Sequence, residues 1–132
     1  MDHKPLQRDI FQGAWVADDV ESASYLWAKN FGVGPFLLFD FGDAFSDILH
    51  RGEPGEFRVL LALAQSNRTQ IELTQHVTHP PVYRDSVSCV KTGFHYICAW
   101  TSDFEADLVS FESIGCPAAL SAKSTDAQFA YL

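Results

Sequence analysis

The sequence predicts an α+β fold built from a strand–helix unit used twice, with further strands behind each copy. Three observations carry this reading. The first is an internal repeat. Gln12 precedes Asp19 by the same spacing that separates Tyr96 from Asp103, and Asp19-Val20-Glu21 matches Asp103-Phe104-Glu105. Both copies then run to a glycine, Gly32 and Gly115. The two copies are offset by 84 positions, too long for a solenoid unit, so the repeat marks two half-domains. The second is a helical period after the first acid, with Val20, Ala23, Trp27 and Phe31 on one face. The third is a hairpin pattern between residues 58 and 75, two β-rich runs around Ser66-Asn67-Arg68.

Taken in order, residues 1 to 10 read as a polar N-terminal arm, and Phe11 to Ala17 as a short strand. Asp18 and Asp19 offer an N-cap, and Glu21 in the first turn suits the positive end of the helix dipole. Gly32 and Gly34-Pro35 stop the helix. Phe36 to Phe41 predicts a second strand. Residues 42 to 57 give no clear period; within them, the Pro-Gly chemistry of Glu53-Pro54-Gly55-Glu56 predicts a turn. Arg58 to Ala64 and Thr69 to His76 are strands, the second with Gln70, Glu72 and Thr74 on one face and Ile71 and Leu73 on the other. His79-Pro80-Pro81 opens a linker over 79–92, with a helical turn expected around 82–88. The second copy runs from Phe94 to Gly115, and Ala118 to Lys123 and Gln128 to Leu132 are the remaining strands. The expectation is one domain over 1–132: a β-α-β-β-β module over 11–78, the linker, and a second module over 93–132 that lacks its last strand.

Net charge is −8, the wrong sign for a nucleic-acid surface or a polybasic membrane contact. No apolar run approaches the roughly 20 residues that span a bilayer. The first ten residues do not resemble a secretory signal. Cys89, Cys98 and Cys116 are odd in number and scattered, which predicts reduced thiols in a cytoplasmic protein. Cys98 falls inside a strand and is expected to be inert. Gly32-Val33-Gly34 follows a helix, so it is not a phosphate loop. His76 and His79 lack a metal spacing on a strand, and His50 with Arg51 suits either a hairpin surface or contact with an anion.

The stretch from Trp15 to Ala23, the segment Gly32-Val33-Gly34-Pro35-Phe36, the strand from Gln70 to Gln75, and Gly93 to Tyr96 leading to Asp103-Phe104-Glu105 together resemble the vicinal oxygen chelate superfamily. That superfamily includes glyoxalase I, methylmalonyl-CoA epimerase, extradiol dioxygenases and bleomycin-resistance proteins. The resemblance is nearest to its glyoxalase-like and epimerase-like members and spans Phe11 to Leu132. It implies two modules whose sheets curl into a cup, with helices outside. It also implies a divalent metal held by residues from the first and last strand of each module. Such a metal would stabilise developing oxyanion charge while a carboxylate moves a proton.

Carried onto this chain, the resemblance places the first ligand at Gln12 and the second at Glu72, which would also serve as the catalytic carboxylate. The third position falls on Tyr96, where the family commonly has His; its preceding neighbour, His95, becomes a ligand only if a bulge slips the strand. Otherwise His95 is expected to pack under the helix layer. The fourth position belongs to the strand that the second module lacks. Gln12 and Tyr96 are equally candidates for contact with substrate. Two functions follow. One is a metal-dependent lyase or isomerase that stabilises an enolate or enediolate of a small carbonyl substrate. The other is a non-catalytic, dimeric binding protein of the bleomycin-resistance type. Both take a small-molecule ligand, and a homodimer is expected because an open sheet edge seldom stays bare.

Overall fold

A computed structural model describes residues 9–42, 44–56, 58–77 and 93–132. The expected linker over 79–92 lies outside the described residues. Among the described residues, nine strands and two helices follow in the order β1 (Ile10–Val16), α1 (Val20–Phe31), β2 (Leu37–Asp40), β3 (Ser46–His50), β4 (Glu53–Pro54), β5 (Val59–Ser66), β6 (Thr69–His76), β7 (Gly93–Ala99), α2 (Phe104–Ser113), β8 (Leu120–Lys123) and β9 (Gln128–Tyr131). They form two curved sheets, one ordered β2-β5-β6-β1-β7 and one ordered β4-β3-β8-β9.

The helices begin as the repeat predicts. Asp19 Oδ1 accepts from Ser22 N at 3.0 Å, and Asp103 Oδ1 accepts from Ala106 N at 3.0 Å. Each aspartate satisfies an amide that the helix itself leaves open. Gly32 ends α1 in the left-handed region (φ 66°), with its N–H on Ala28 O. A side chain there would be strained, which is why the chain uses glycine.

The repeat is also written into the sheet. β1 and β7 pair antiparallel, with Gln12 opposite Cys98, Gly13 opposite Ile97 and Ala14 opposite Tyr96. Moving by the 84-position offset exchanges the first pair with the last and maps Gly13–Ile97 onto itself. A local two-fold therefore passes through that pair. The two register shifts obey the same symmetry: one leaves Phe11 bulged in β1, and the other leaves His95 bulged in β7. Those residues are again 84 positions apart.

β1 runs parallel to β6, and β5 and β2 follow antiparallel, so the first module has the predicted β-α-β-β-β form. α1 packs over β5 and β6. Ala17, Val20, Ala62, Ile71 and Leu73 form the core beneath it, flanked by Trp15 and Trp27. Gly13 lies under the Trp15 indole, where an added Cβ would come within 3.1 Å of the ring. On the other face, Val16 and Val59 meet Leu120 of the second sheet, with Leu61, Phe129 and Tyr131 packed around them. That cluster closes one end of the cup.

The region without a clear period holds a hairpin, and its turn sits earlier than Pro-Gly chemistry suggests. Leu49 pairs with Pro54 and His50 with Glu53, so Arg51 and Gly52 turn the chain. Both have positive φ, 49° and 85°, the mark of a two-residue type I′ turn. Pro54 is tolerated because β4 is an edge strand. The hairpin belongs to the second sheet, through β3 and β8. Among the described residues, no strand lies between β7 and β9, the place the second module's last strand would take.

Candidate functional site

Register alone brings the candidate residues together. Gln12 pairs with Gln70, and Ala14 pairs with Glu72 on one side and Tyr96 on the other. Residues paired across a sheet share a face, so Gln12, Gln70, Glu72, Thr74 and Tyr96 all lie on the face away from α1. Small Ala14 separates Glu72 from Tyr96 and leaves the phenol room to reach across it. Tyr96 O–H donates to Glu72 Oε1 at 2.7 Å. Thr74 Oγ1 donates to the same oxygen at 2.8 Å. Gln12 also hydrogen-bonds the carboxyl, and its Nε2 donates to Gln70 Oε1 at 2.5 Å.

Gln12, Glu72 and Thr74 are the buried polar side chains among the described residues, at 7%, 6% and 2% exposure. A buried carboxyl is costly unless its partners are present, and here they are. Burial pushes the Glu72 carboxyl above its ordinary value; the hydrogen bonds from Tyr96, Thr74 and Gln12 pull the other way and do not overcome it. Burial, then the nearness of Tyr131 and Glu72, holds the Tyr96 phenol well above its usual value. Cys98 is also pushed up, by burial and by Glu72, as an inert thiol should be.

His95 lies elsewhere than under the helix layer. As the bulged residue of β7, it sets its ring 5.1 Å from Tyr96 and 5.7 Å from Tyr131 of the second sheet. A bulge breaks the alternation that would send neighbouring residues to opposite faces. Burial lowers the His95 pKa to about 4, so the ring is neutral near pH 7.

Tyr131 is the residue that sequence reasoning missed. Its ring is 4.9 Å from Tyr96, and the two phenols are hydrogen-bonded. The second sheet thereby touches the Glu72 cluster. The strand around Tyr131 was legible in the sequence; its position opposite Tyr96 depends on how the two sheets close, for which the sequence carries no local signal. His76 ends β6, and His50 sits at the β3–β4 turn with its Nε2 on Glu56 O at 2.8 Å.

Of the three residues that the resemblance assigns to a divalent ion, Gln12 and Glu72 are already engaged with each other and with neighbouring side chains. Glu72 Oε1 accepts the Tyr96 and Thr74 hydroxyl protons. No group of three His, Cys, Asp or Glu among the described residues has a metal-holding arrangement.

The Glyoxalase/Bleomycin resistance protein/Dioxygenase superfamily model matches residues 11–131, and the chain belongs to that family. Among solved structures, it is similar to methylmalonyl-CoA epimerase from Mycobacterium tuberculosis, with a TM-score of 0.53 at 14% identity. The match covers 86% of this chain and 70% of that one, and at this identity it speaks for the fold. A comparison with curated proteins found no match. No described helix is long and apolar enough to cross a membrane.

Proposed function

We propose that the chain binds a small, oxygen-bearing molecule on the cup face of its first sheet, without a resident metal. The observation that carries this is the convergence of the Tyr96 and Thr74 hydroxyls on one oxygen of buried Glu72. A carboxyl whose pKa is raised donates as well as accepts once it is protonated, and a phenol does both. Such a pair suits a carbonyl or hydroxyl oxygen, while Tyr131 and His95 offer ring surface beside it. The assembly proposed is a homodimer in a reducing, cytoplasmic compartment, where Cys98 and Cys116 stay free.

A thermal-shift titration tests the binding reading with acetophenone as the neutral carbonyl probe, with and without Mn²⁺. Stabilisation of wild type without the ion, lost in Tyr96→Phe, is the expected result. Stabilisation only in the presence of Mn²⁺ would overturn it in favour of the metal-dependent reading. Light scattering tests the dimer, and a clean monomer at micromolar concentration would sink it.

The same pair favours a second reading, a lyase or isomerase that forms an enolate. A carboxyl raised above its ordinary value can exchange a proton with a carbon acid, and a neighbouring O–H can steady the oxygen that becomes negative. Protein-dependent deuterium exchange from D₂O into the methyl group of acetophenone, abolished in Glu72→Gln, would establish that reading. Binding without exchange would leave the protein a binder.

A further inference from the structure

The two sheets meet beside the Glu72 carboxyl through a pair of phenols. Gln12 stands on β1, Gln70, Glu72 and Thr74 on β6, and Tyr96 on β7, all in the first sheet. Tyr131 stands on β9, in the second. Its backbone is fixed from behind. It pairs with Leu120, and its carbonyl accepts from Ala119 N at 2.6 Å. Leu120 is 0% exposed and packs with Val16 and Val59 of the first sheet. The contact that closes the cup therefore also carries the Tyr131 ring to Tyr96, with 4.9 Å between centroids and 36° between planes. His95 meets both rings edge-on, at 78° and 71°.

Proton bookkeeping sets the direction of the bond between the phenols. A phenol carries one O–H and accepts as well as donates. Tyr96 gives its proton to Glu72 Oε1 at 2.7 Å. Tyr131 therefore supplies the proton of the bond between the rings, and the Tyr96 oxygen accepts it. The result is a chain that points one way, from Tyr131 to Tyr96 to Glu72. Bonds in such a chain polarise one another, so the first strengthens the second. The side chains that hydrogen-bond the carboxyl are Tyr96, Thr74 and Gln12, so Tyr131 acts on Glu72 through Tyr96. On the β1 side the phenol faces Ala14, whose methyl group has no polar atom to orient it.

We infer that Tyr131 is a positioning residue: its O–H, brought in by the second sheet, holds the Tyr96 phenol in the orientation that meets Glu72 and the ligand oxygen, taking Tyr96 and Glu72 as the ligand contact proposed above. The site is then a product of both sheets. The polar groups that bind belong to the first, and the orientation of one of them belongs to the second. A ligand oxygen that replaces Glu72 as the acceptor of the Tyr96 proton meets a donor already polarised from behind.

The test reads the Tyr96 hydroxyl directly, in the full chain labelled with ¹³C at the tyrosine ζ carbon. In a mixture of H₂O and D₂O, a hydroxyl that exchanges slowly splits its ζ-carbon line in two. Wild type should show split lines for both Tyr96 and Tyr131. Tyr131→Phe keeps the ring and removes the donor, and its ¹H–¹⁵N spectrum reports whether it is folded. Its Tyr96 hydroxyl should exchange about fivefold faster and its affinity for acetophenone fall about fivefold, on the scale of one neutral hydrogen bond. Phe129→Leu is the packing control, because Phe129 lies 5.7 Å from Tyr131 and carries no hydroxyl. It should leave the Tyr96 line split as in wild type. A fast Tyr131 hydroxyl in wild type, an unchanged Tyr96 line in folded Tyr131→Phe, or equal acceleration in Phe129→Leu would each overturn the proposal. Failure of wild type to bind acetophenone would overturn the ligand reading instead, because the hydroxyl lines are read without ligand and decide the role of Tyr131 on their own.

Discussion

The two helices of this molecule begin from the same local signal and end in different environments. α1 and α2 both start at an aspartate cap with a glutamate in the first turn. α1 has a floor: it lies over β5 and β6, buries Val20 and brings Ala23 and Trp27 against the core. α2 buries no residue at all. Capping starts a helix and fixes where it begins, while most helical stability comes from packing an apolar face. In the first module, β5 and β6 supply that packing. In the second, β9 holds the place of β5, and among the described residues nothing holds the place of β6. The difference between the helices is therefore a difference between floors.

The largest expected effect lies under α1. Leu73 is 1% exposed and belongs to the cluster that joins β6 to the helix. Leu73→Ala should cost about 3 kcal/mol, the lost transfer energy plus a cavity. Urea denaturation followed by tryptophan fluorescence measures it. A loss under about 1 kcal/mol would mean that the floor of α1 is as loose as that of α2.

The caps sharpen the comparison at a smaller scale. Removing either one, by Asp19→Ala or Asp103→Ala, should weaken its own helix by about 1 kcal/mol. Asp19→Ala is expected to lower global stability, because α1 is built into the core. Asp103→Ala is expected to speed amide exchange within 104–113 and leave the urea midpoint nearly unmoved. Equal shifts of the midpoint in both variants would show α2 to be cooperative with the core.

Much of this was legible before any coordinates. The spacing from Gln12 to Asp19, recurring from Tyr96 to Asp103, marked where both helices start. Alternation along β6 put Gln70, Glu72 and Thr74 on one face, and the family register set Gln12 and Tyr96 with them. Two things were not legible. The position of the β3–β4 turn hides because Arg51 adopts a positive φ, which nothing in its side chain demands. The side taken by His95 hides because a bulge reverses alternation without changing composition.

The cluster on the cup face should show itself in pH dependence. The folded-state pKa of Glu72 is raised, so the folded chain holds that proton more tightly than the unfolded one. Its contribution to stability is fully present below the unfolded carboxylate value and is lost as pH rises through the folded value. His95 slopes the other way. Its pKa is lowered to about 4, so its cost is greatest in acid and disappears as pH rises toward the ordinary imidazole value. Glu72→Gln should remove the first slope and leave the second. Tyr96→Phe deletes a hydrogen bond that lowers the Glu72 pKa, so it should move the Glu72 slope to higher pH and cost about 1 kcal/mol. Urea midpoints taken between pH 4 and pH 8 measure all three proteins. A Glu72→Gln profile that superposes on wild type would mean that the carboxyl is solvated.

The smallest expected effect is the one that most directly probes the missing floor. Val109 is 66% exposed on α2, whereas Val20 near the start of α1 is 5% exposed. Valine and serine have similar helix propensities, so Val109→Ser changes little besides apolar surface. On an uncovered helix it should alter stability by less than about 0.5 kcal/mol, the usual range for surface substitutions. Val20→Ser should cost several times more, because it puts a hydroxyl into the cluster of Ala17, Ala62 and Leu73. The pair of midpoints is read under identical conditions and at two protein concentrations. If Val109→Ser costs as much as Val20→Ser, the outer face of α2 is covered in solution. A cost that appears only at the higher concentration would assign the cover to a second copy of the chain, since stability gained by association follows mass action. If neither concentration reveals a cost, α2 stands on its cap and its own hydrogen bonds, and the two halves of the repeat differ in solution as they do in structure.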